Sequence, residues 1–113
     1  MTENMTKHHE WTWHYLNKFS SKENPINKES LMVAMKMHDP SFKVMRQLRL
    51  VIEDLILIYS KPIGSSERGW FVIKNQLELN ESVDYLEKKA MALHKRAGQL
   101  KKNAQAVTQG ALL

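Results

Sequence analysis

The chain contains no cysteine, which excludes a disulfide framework, a thiolate metal site and a cysteine nucleophile, and fits a reducing, cytosolic setting. Long apolar runs are also missing. The longest, Leu55-Ile56-Leu57-Ile58-Tyr59, is far below the roughly 20 residues that cross a bilayer, and the polar N-terminus is unlike a signal segment. A soluble, cytoplasmic protein without membrane contact is expected, in a bacterial host cell if the gene belongs to a phage. With only three prolines and four glycines, nearly every one of them marks a break in the pattern.

What is present is enough for one small domain. The 113 residues are 42% apolar, so a modest core can form without metal or disulfide staples. A formal charge of +5 favours an anionic partner, as does the pI near 9.5, although excess lysine is also a common route to solubility.

The stretch that organises the rest is Lys61-Pro62-Ile63-Gly64-Ser65-Ser66-Glu67-Arg68-Gly69-Trp70-Phe71-Val72-Ile73. Two short apolar arms flank a polar tip with glycines, the composition of a β-hairpin with a four- or five-residue loop. Before it, residues 1–7 read as a flexible N-terminus, and Trp11, Tyr15, Leu16 and Phe19 give a helix whose aromatic stripe is expected in the core, with Trp13 half exposed. Ser20 to Pro25 is a linker, and Ile26 is placed as a one- or two-residue strand beside the hairpin. Asn27 caps a second helix, Lys28 to about Met37, with Leu31, Ala34, Met35 and His38 on one face.

Asp39-Pro40 is read as the start of a third helix running to about Ile58, with Phe42, Met45, Leu48, Ile52 and Leu55 buried. Its apolar end, Leu55 to Ile58, is expected to be covered on two sides. Lys43, Arg46, Gln47 and Leu50 then share an outward strip. After the hairpin, Asn75 and Glu78 have capping-box spacing and open a long helix over about 76–103. Leu79, Val83, Leu86, Ala90, Leu93, Ala97 and Leu100 alternate by four and three along it, a coiled-coil seam that implies a homodimer. Gly98 weakens the last turns, and 104–113 reads as a disordered tail.

The residues from Val44 to Leu55, then Pro62-Ile63 and Ser65-Ser66-Glu67-Arg68-Gly69-Trp70-Phe71, resemble the recognition helix and wing of biotin-repressor-like winged helices. A closer resemblance is to small phage and prophage proteins in which a Ser-Ser-x-x-Gly-aromatic wing precedes one long charged helix, with Leu79, Val83, Leu86-Glu87 and Leu93 in the matching places. The resemblance covers about Ile26 to Lys102. It departs from the family at Met37-His38-Asp39-Pro40, where a glycine is usual. It implies double-stranded DNA binding in phage gene control or replication, and no catalytic role.

The fold expected is therefore mainly α with a small β-hairpin: a winged helix-turn-helix over 8–74 and a dimerising coiled-coil helix over 75–103. Arginine and glutamine on a major-groove helix can read base edges, while lysines near its ends reach phosphates. Arg46 and Gln47 are the expected readers and Lys43 and Arg49 the phosphate contacts. At the wing, Ser65, Ser66 and Arg68 are expected to touch backbone or minor groove. The competing reading is an interaction module that grips and inhibits a host protein through the same helix and seam, with Trp13 and the methionines as anchors.

No constellation supports an enzyme, a cofactor or a metal. His8, His9, His14 and Glu10 cluster near the N-terminus, which is more often incidental than a site. Glu53 and Asp54 are helix neighbours that point apart. Ser65-Ser66 has no histidine nearby in the chain, and Gly64 and Gly69 are followed by no lysine-serine as a phosphate loop would be. Lys88, Lys89, Lys95, Arg96, Lys101 and Lys102 make the last part of the long helix basic, as a solvated exterior would be.

Overall fold

The computed structural model describes residues 5–106. In chain order the elements are α1 (Lys7–Phe19), α2 (Lys28–His38), α3 (Met45–Leu57), β1 (Ile63–Ser66), β2 (Gly69–Val72) and α4 (Gln76–Ala106). The fold is mainly helical, with a small antiparallel hairpin and a long C-terminal helix. The described residues divide into two units, one ending at Ser82 and one starting at Val83, so the boundary falls within α4.

In the first unit, α1 opens on Thr6, whose hydroxyl accepts from the His9 amide while the Thr6 amide donates to His9 Nδ1 at 3.2 Å. Because Nδ1 accepts, Nε2 carries the proton and donates to Asp54 Oδ2 on α3 at 3.0 Å. One buried imidazole thus caps α1 and ties it to α3. The fully buried residues of α1 are His9, Thr12 and Leu16; of the aromatic stripe that the sequence puts in the core, Trp11 and Tyr15 pack half-buried against it and Phe19 does not. The rings also form a ladder along the edge of the core: His38 stacks on Trp11 at 4.9 Å, Trp11 on Tyr15 at 4.9 Å, and Phe19, 56% exposed, ends it. The rings bury flat surface against one another, which leaves the slimmer Thr12–Leu16 side to pack on α3 and β2. Trp13 is half-buried, with Lys61 Nζ 5.1 Å from its ring centre.

Asn27 caps α2 by accepting from the Ser30 amide at 2.7 Å, and Leu31, Met32 and Met35 fill the core. Asp39 does not start a helix. Its amide donates to Met35 and closes α2, and its carboxylate accepts from the Ser41 amide at 2.9 Å and hydroxyl at 2.7 Å. That side-chain turn aims Phe42, 2% exposed, into the core. The third helix therefore starts at Met45. There Gln47 Oε1 accepts from the amides of Lys43 and Val44, at 2.8 and 3.0 Å, and so fastens the two residues before the helix to its first turn.

Leu48, Val51, Ile52 and Leu55 form the buried face of α3, which meets α1, α2 and β1. Its last turn is not enclosed: Ile56, Leu57 and Ile58 are 38%, 73% and 64% exposed. The helix ends there, and Ser60, at φ 56°, turns the chain toward the hairpin before a second layer can cover it.

The hairpin pairs Ile63 with Val72 through Ser66 with Gly69. Only Glu67 and Arg68 remain for the turn, so the loop has two residues and not four or five. Ser66 makes this tight turn possible: its hydroxyl accepts from the Arg68 amide at 3.2 Å and donates to the Gly69 carbonyl at 3.3 Å. As expected, Ile26 pairs with Trp70 on the far side of β2. Its backbone comes so close that a Cβ on Gly69, at φ +139°, would lie 2.2 Å from the Ile26 carbonyl oxygen. Buried Ser20 joins this edge to α1, donating to Leu16 O and accepting from the Val72 amide.

Asn75 caps α4 through the Glu78 amide at 2.9 Å, and Glu78 reaches back to the Lys74 amide at 3.0 Å. Buried Ser82 accepts from the Ser65 amide at 2.9 Å, and Lys22 pairs with Glu81, so the first turns of α4 belong to the head. From Val83 on, the second unit is a single helix. It continues through 104–106, beyond its expected end at 103. The rest of the expected tail lies outside the described residues, as does most of the expected flexible N-terminus.

Candidate nucleic-acid interface

On α3, residues three and four apart share a face because the helix turns once per about 3.6 residues. Leu48, Val51, Ile52 and Leu55 take the inward face, so Arg46, Arg49, Leu50 and Glu53 are left on the outward one, and all four are exposed. Arg46 and Arg49 are thus brought together one turn apart. Lys43 is exposed just before the helix, on the loop and not on the helical strip where the sequence placed it. Gln47 is exposed, but both lone pairs of its oxygen are occupied by backbone amides. Bidentate reading of an adenine, which needs that oxygen as acceptor, is unavailable in this geometry.

At the other end of the candidate surface, Arg68 is exposed in the hairpin turn, and one guanidinium nitrogen donates to the Glu23 carbonyl at 3.3 Å. That contact uses one of five donors and leaves the charge uncompensated. Ser66 gives its hydroxyl proton to the Gly69 carbonyl and so is not the free donor that the sequence suggests, while at Ser65 it is the backbone amide that is taken, by Ser82. Among the described residues, Lys43, Arg46, Arg49 and Arg68 form no ion pair with an acid. The packing of α3 on β1 puts helix and hairpin in one body.

The structure adds a feature that charge counting passes over. Val44, Leu50 and Leu57 are 53%, 49% and 73% exposed, and Leu50 and Leu57 follow Arg46 along the same outward line. The outer face of α3 is therefore mixed, basic at its start and apolar at Leu50 and Leu57, with the acid Glu53 between them. The i+4, i+11 spacing from Arg46 was the signal for it.

The N-terminal histidines do not converge. His9 is committed to Asp54, and His8 packs on Phe42 at 5.0 Å with Asp39 3.5 Å from its Nε2. Ser41 donors, then the nearby imidazoles of His8 and His38, hold the Asp39 carboxyl below its ordinary value of 3.8. No metal-holding group of three or more His, Cys, Asp or Glu side chains occurs among the described residues. On α4, Leu79, Val83, Leu86, Leu93 and Leu100 are 40%, 44%, 51%, 57% and 65% exposed, and Ala90 and Ala97 between them are exposed too. No helix among the described residues is long and apolar enough to cross a membrane.

Compared with protein families, curated proteins and solved structures, the chain matches none. The function rests on its own residues.

Proposed function

We propose that this chain is a winged-helix protein that binds double-stranded DNA as a dimer, a non-enzymatic regulator of transcription or replication of the kind that small phage proteins supply in the host cytoplasm. The observation that carries this is the outward face of α3. Arg46 and Arg49 stand one turn apart there, exposed and unpaired, on the third helix of a unit whose order is α1, the Ile26 bridge, α2, α3, β1, β2. A helix carrying arginines at its start can enter a major groove, and a hairpin tip with Arg68 can reach the adjacent backbone. Arg46 is the base reader, Lys43, Arg49 and Arg68 are phosphate contacts, and Gln47 shapes the helix start. Titration of a labelled mixed-sequence duplex with the full chain at low and physiological salt tests it. Binding that weakens steeply with salt is expected, and no binding at low salt defeats the proposal.

One observation favours a second reading, a module that binds a host protein. Leu50 and Leu57 extend the outward strip with apolar surface that a DNA backbone would not cover. A protein partner would bury them. On that reading Leu57→Ser abolishes capture of one host protein, and duplex binding is absent.

A further inference from the structure

We propose that α4 pairs with α4 of a second copy in antiparallel orientation, in the register that sets Val83 against the partner's Leu100, Leu86 against the partner's Ala97 and Ala90 against the partner's Leu93. This rests on the dimer reading above and gives it an orientation and a register. Two independent features of the helix lead to it.

The first is charge. From Gln76 to Glu87 the helix carries Glu78, Glu81, Asp84 and Glu87 and no base; from Lys88 to Ala106 it carries Lys88, Lys89, Lys95, Arg96, Lys101 and Lys102 and no acid. Separation of this kind suits the dipole of a single helix, but it also decides how two can meet. A parallel mate in register sets acid against acid and base against base along the whole length. Glu78, Glu81 and Asp84 are already held by Lys74 and Asn75, by Lys22 and by Lys88, so an antiparallel mate acts on the remaining acid and brings Glu87 to the level of the partner's Arg96. Lys88, Lys95 and Lys102 fall about half a turn away from the apolar strip, where the charges of two copies stay apart, and Lys89 lies along its edge.

The second is side-chain size. Along the strip the order is Leu79, Val83, Leu86, Ala90, Leu93, Ala97, Leu100 and Ala104, with the large and small residues alternating after Leu86. In a parallel pair every layer would be a residue against itself, so layers of two leucines would alternate with layers of two alanines. The leucine layers hold the helices apart and the alanine layers are left underfilled. Reversal places a leucine against an alanine at 79 and 104, 86 and 97, and 93 and 90. Each of those layers then has the same total volume, so the axes can run close along the middle of the pair, with the bulkier Val83–Leu100 layer toward each end.

The strip is open for such a mate. Glu78 and Ser82 beside it are buried in the head, while Leu79 and Val83 on it are 40% and 44% exposed, and every strip residue beyond them is exposed. The absence of cysteine makes the test direct. Val83→Cys, Leu93→Cys and Leu100→Cys are made singly in the full chain, the solution mass of each is measured, and each is oxidised mildly alone and in pairwise mixtures. The expected result is a dimeric mass, a cross-linked dimer from the mixture of Val83→Cys with Leu100→Cys, and little from either alone, since a disulfide needs Cα atoms within about 7 Å. Self-linking of Val83→Cys overturns the orientation and leaves the dimer reading intact. Linking of Val83→Cys to Leu93→Cys overturns the register. A dimeric mass with no link in any sample overturns pairing through α4, and a monomeric mass in every variant and in the parent chain overturns the dimer reading as well.

Discussion

Ile26 and Trp70 exchange both of their backbone hydrogen bonds, the Ile26 amide donating at 2.8 Å and the Trp70 amide at 2.9 Å. This single pair fastens the start of α2 to the hairpin that follows α3, and so fixes the hairpin relative to the two helices that precede it. Its closeness depends on the neighbouring residue. Gly69 sits where a side chain would run into the Ile26 carbonyl, at a φ of +139° that L-residues rarely adopt.

Gly69→Ala is therefore expected to destabilise the head by at least about 2 kcal/mol, from backbone strain and loss of the Ile26 pair. Urea unfolding measures it. The same substitution at Gly98 has the opposite sign, because nothing lies within 4 Å of the added methyl on that helix. Gly98→Ala is expected to favour α4 by about 1 kcal/mol, seen as increased helical circular dichroism.

Gln47 gives the next separation of roles. If its function is to cap α3, Gln47→Ala lowers stability by about 1 kcal/mol without changing which duplex sequences are preferred. Arg46→Ala does the reverse, leaving stability nearly unchanged and relaxing sequence preference. Unfolding curves and competition between duplexes, run on both variants, check the pair.

Asp39 makes a pH prediction. Its carboxyl is held below its ordinary 3.8 in the folded chain by Ser41 and then by His8 and His38. A depressed folded value means that the stabilisation is present above 3.8 and is lost as pH falls through the lower, folded value. Asp39→Ala should accordingly lower the melting temperature at pH 7 and have no remaining effect in strong acid, where the parent carboxyl is protonated as well. Equal losses at both extremes would show that the turn depends on shape alone.

Much of this head was legible in the sequence because local rules and burial agreed. The Asn27 and Asn75 caps and the Ile63–Val72 hairpin follow from neighbours in the chain, and the Ile26–Trp70 bridge was anticipated as an extended residue beside that hairpin. The failures came where two local solutions competed. Asp39-Pro40 can open a helix, but Asp39 is also the residue that ends α2, and with Ser41 in reach its carboxylate is satisfied by a turn. Trp11, Tyr15 and Phe19 have the spacing of a core face. Trp11 and Tyr15 do pack half-buried against the core, but Phe19 ends up exposed with its ring against Tyr15, which a periodicity argument cannot distinguish from burial. In the candidate interface the arginines were legible as exposed positions opposite a hydrophobic stripe. The occupation of Gln47 and Ser66 by nearby backbone groups was not, since it depends on a cap position and a turn length set by packing elsewhere.

The central claim is that α3 and the hairpin tip hold DNA through Arg46 and Arg68, and the dependence of duplex affinity on salt tests it most directly. Kd is measured for the parent chain, Arg46→Ala and Arg68→Ala over a range of salt concentrations on one duplex. The expected result is a steep parent slope that falls by about one for Arg68→Ala, with lowered affinity and relaxed sequence preference for Arg46→Ala. Slopes and affinities identical in all three proteins would contradict the account.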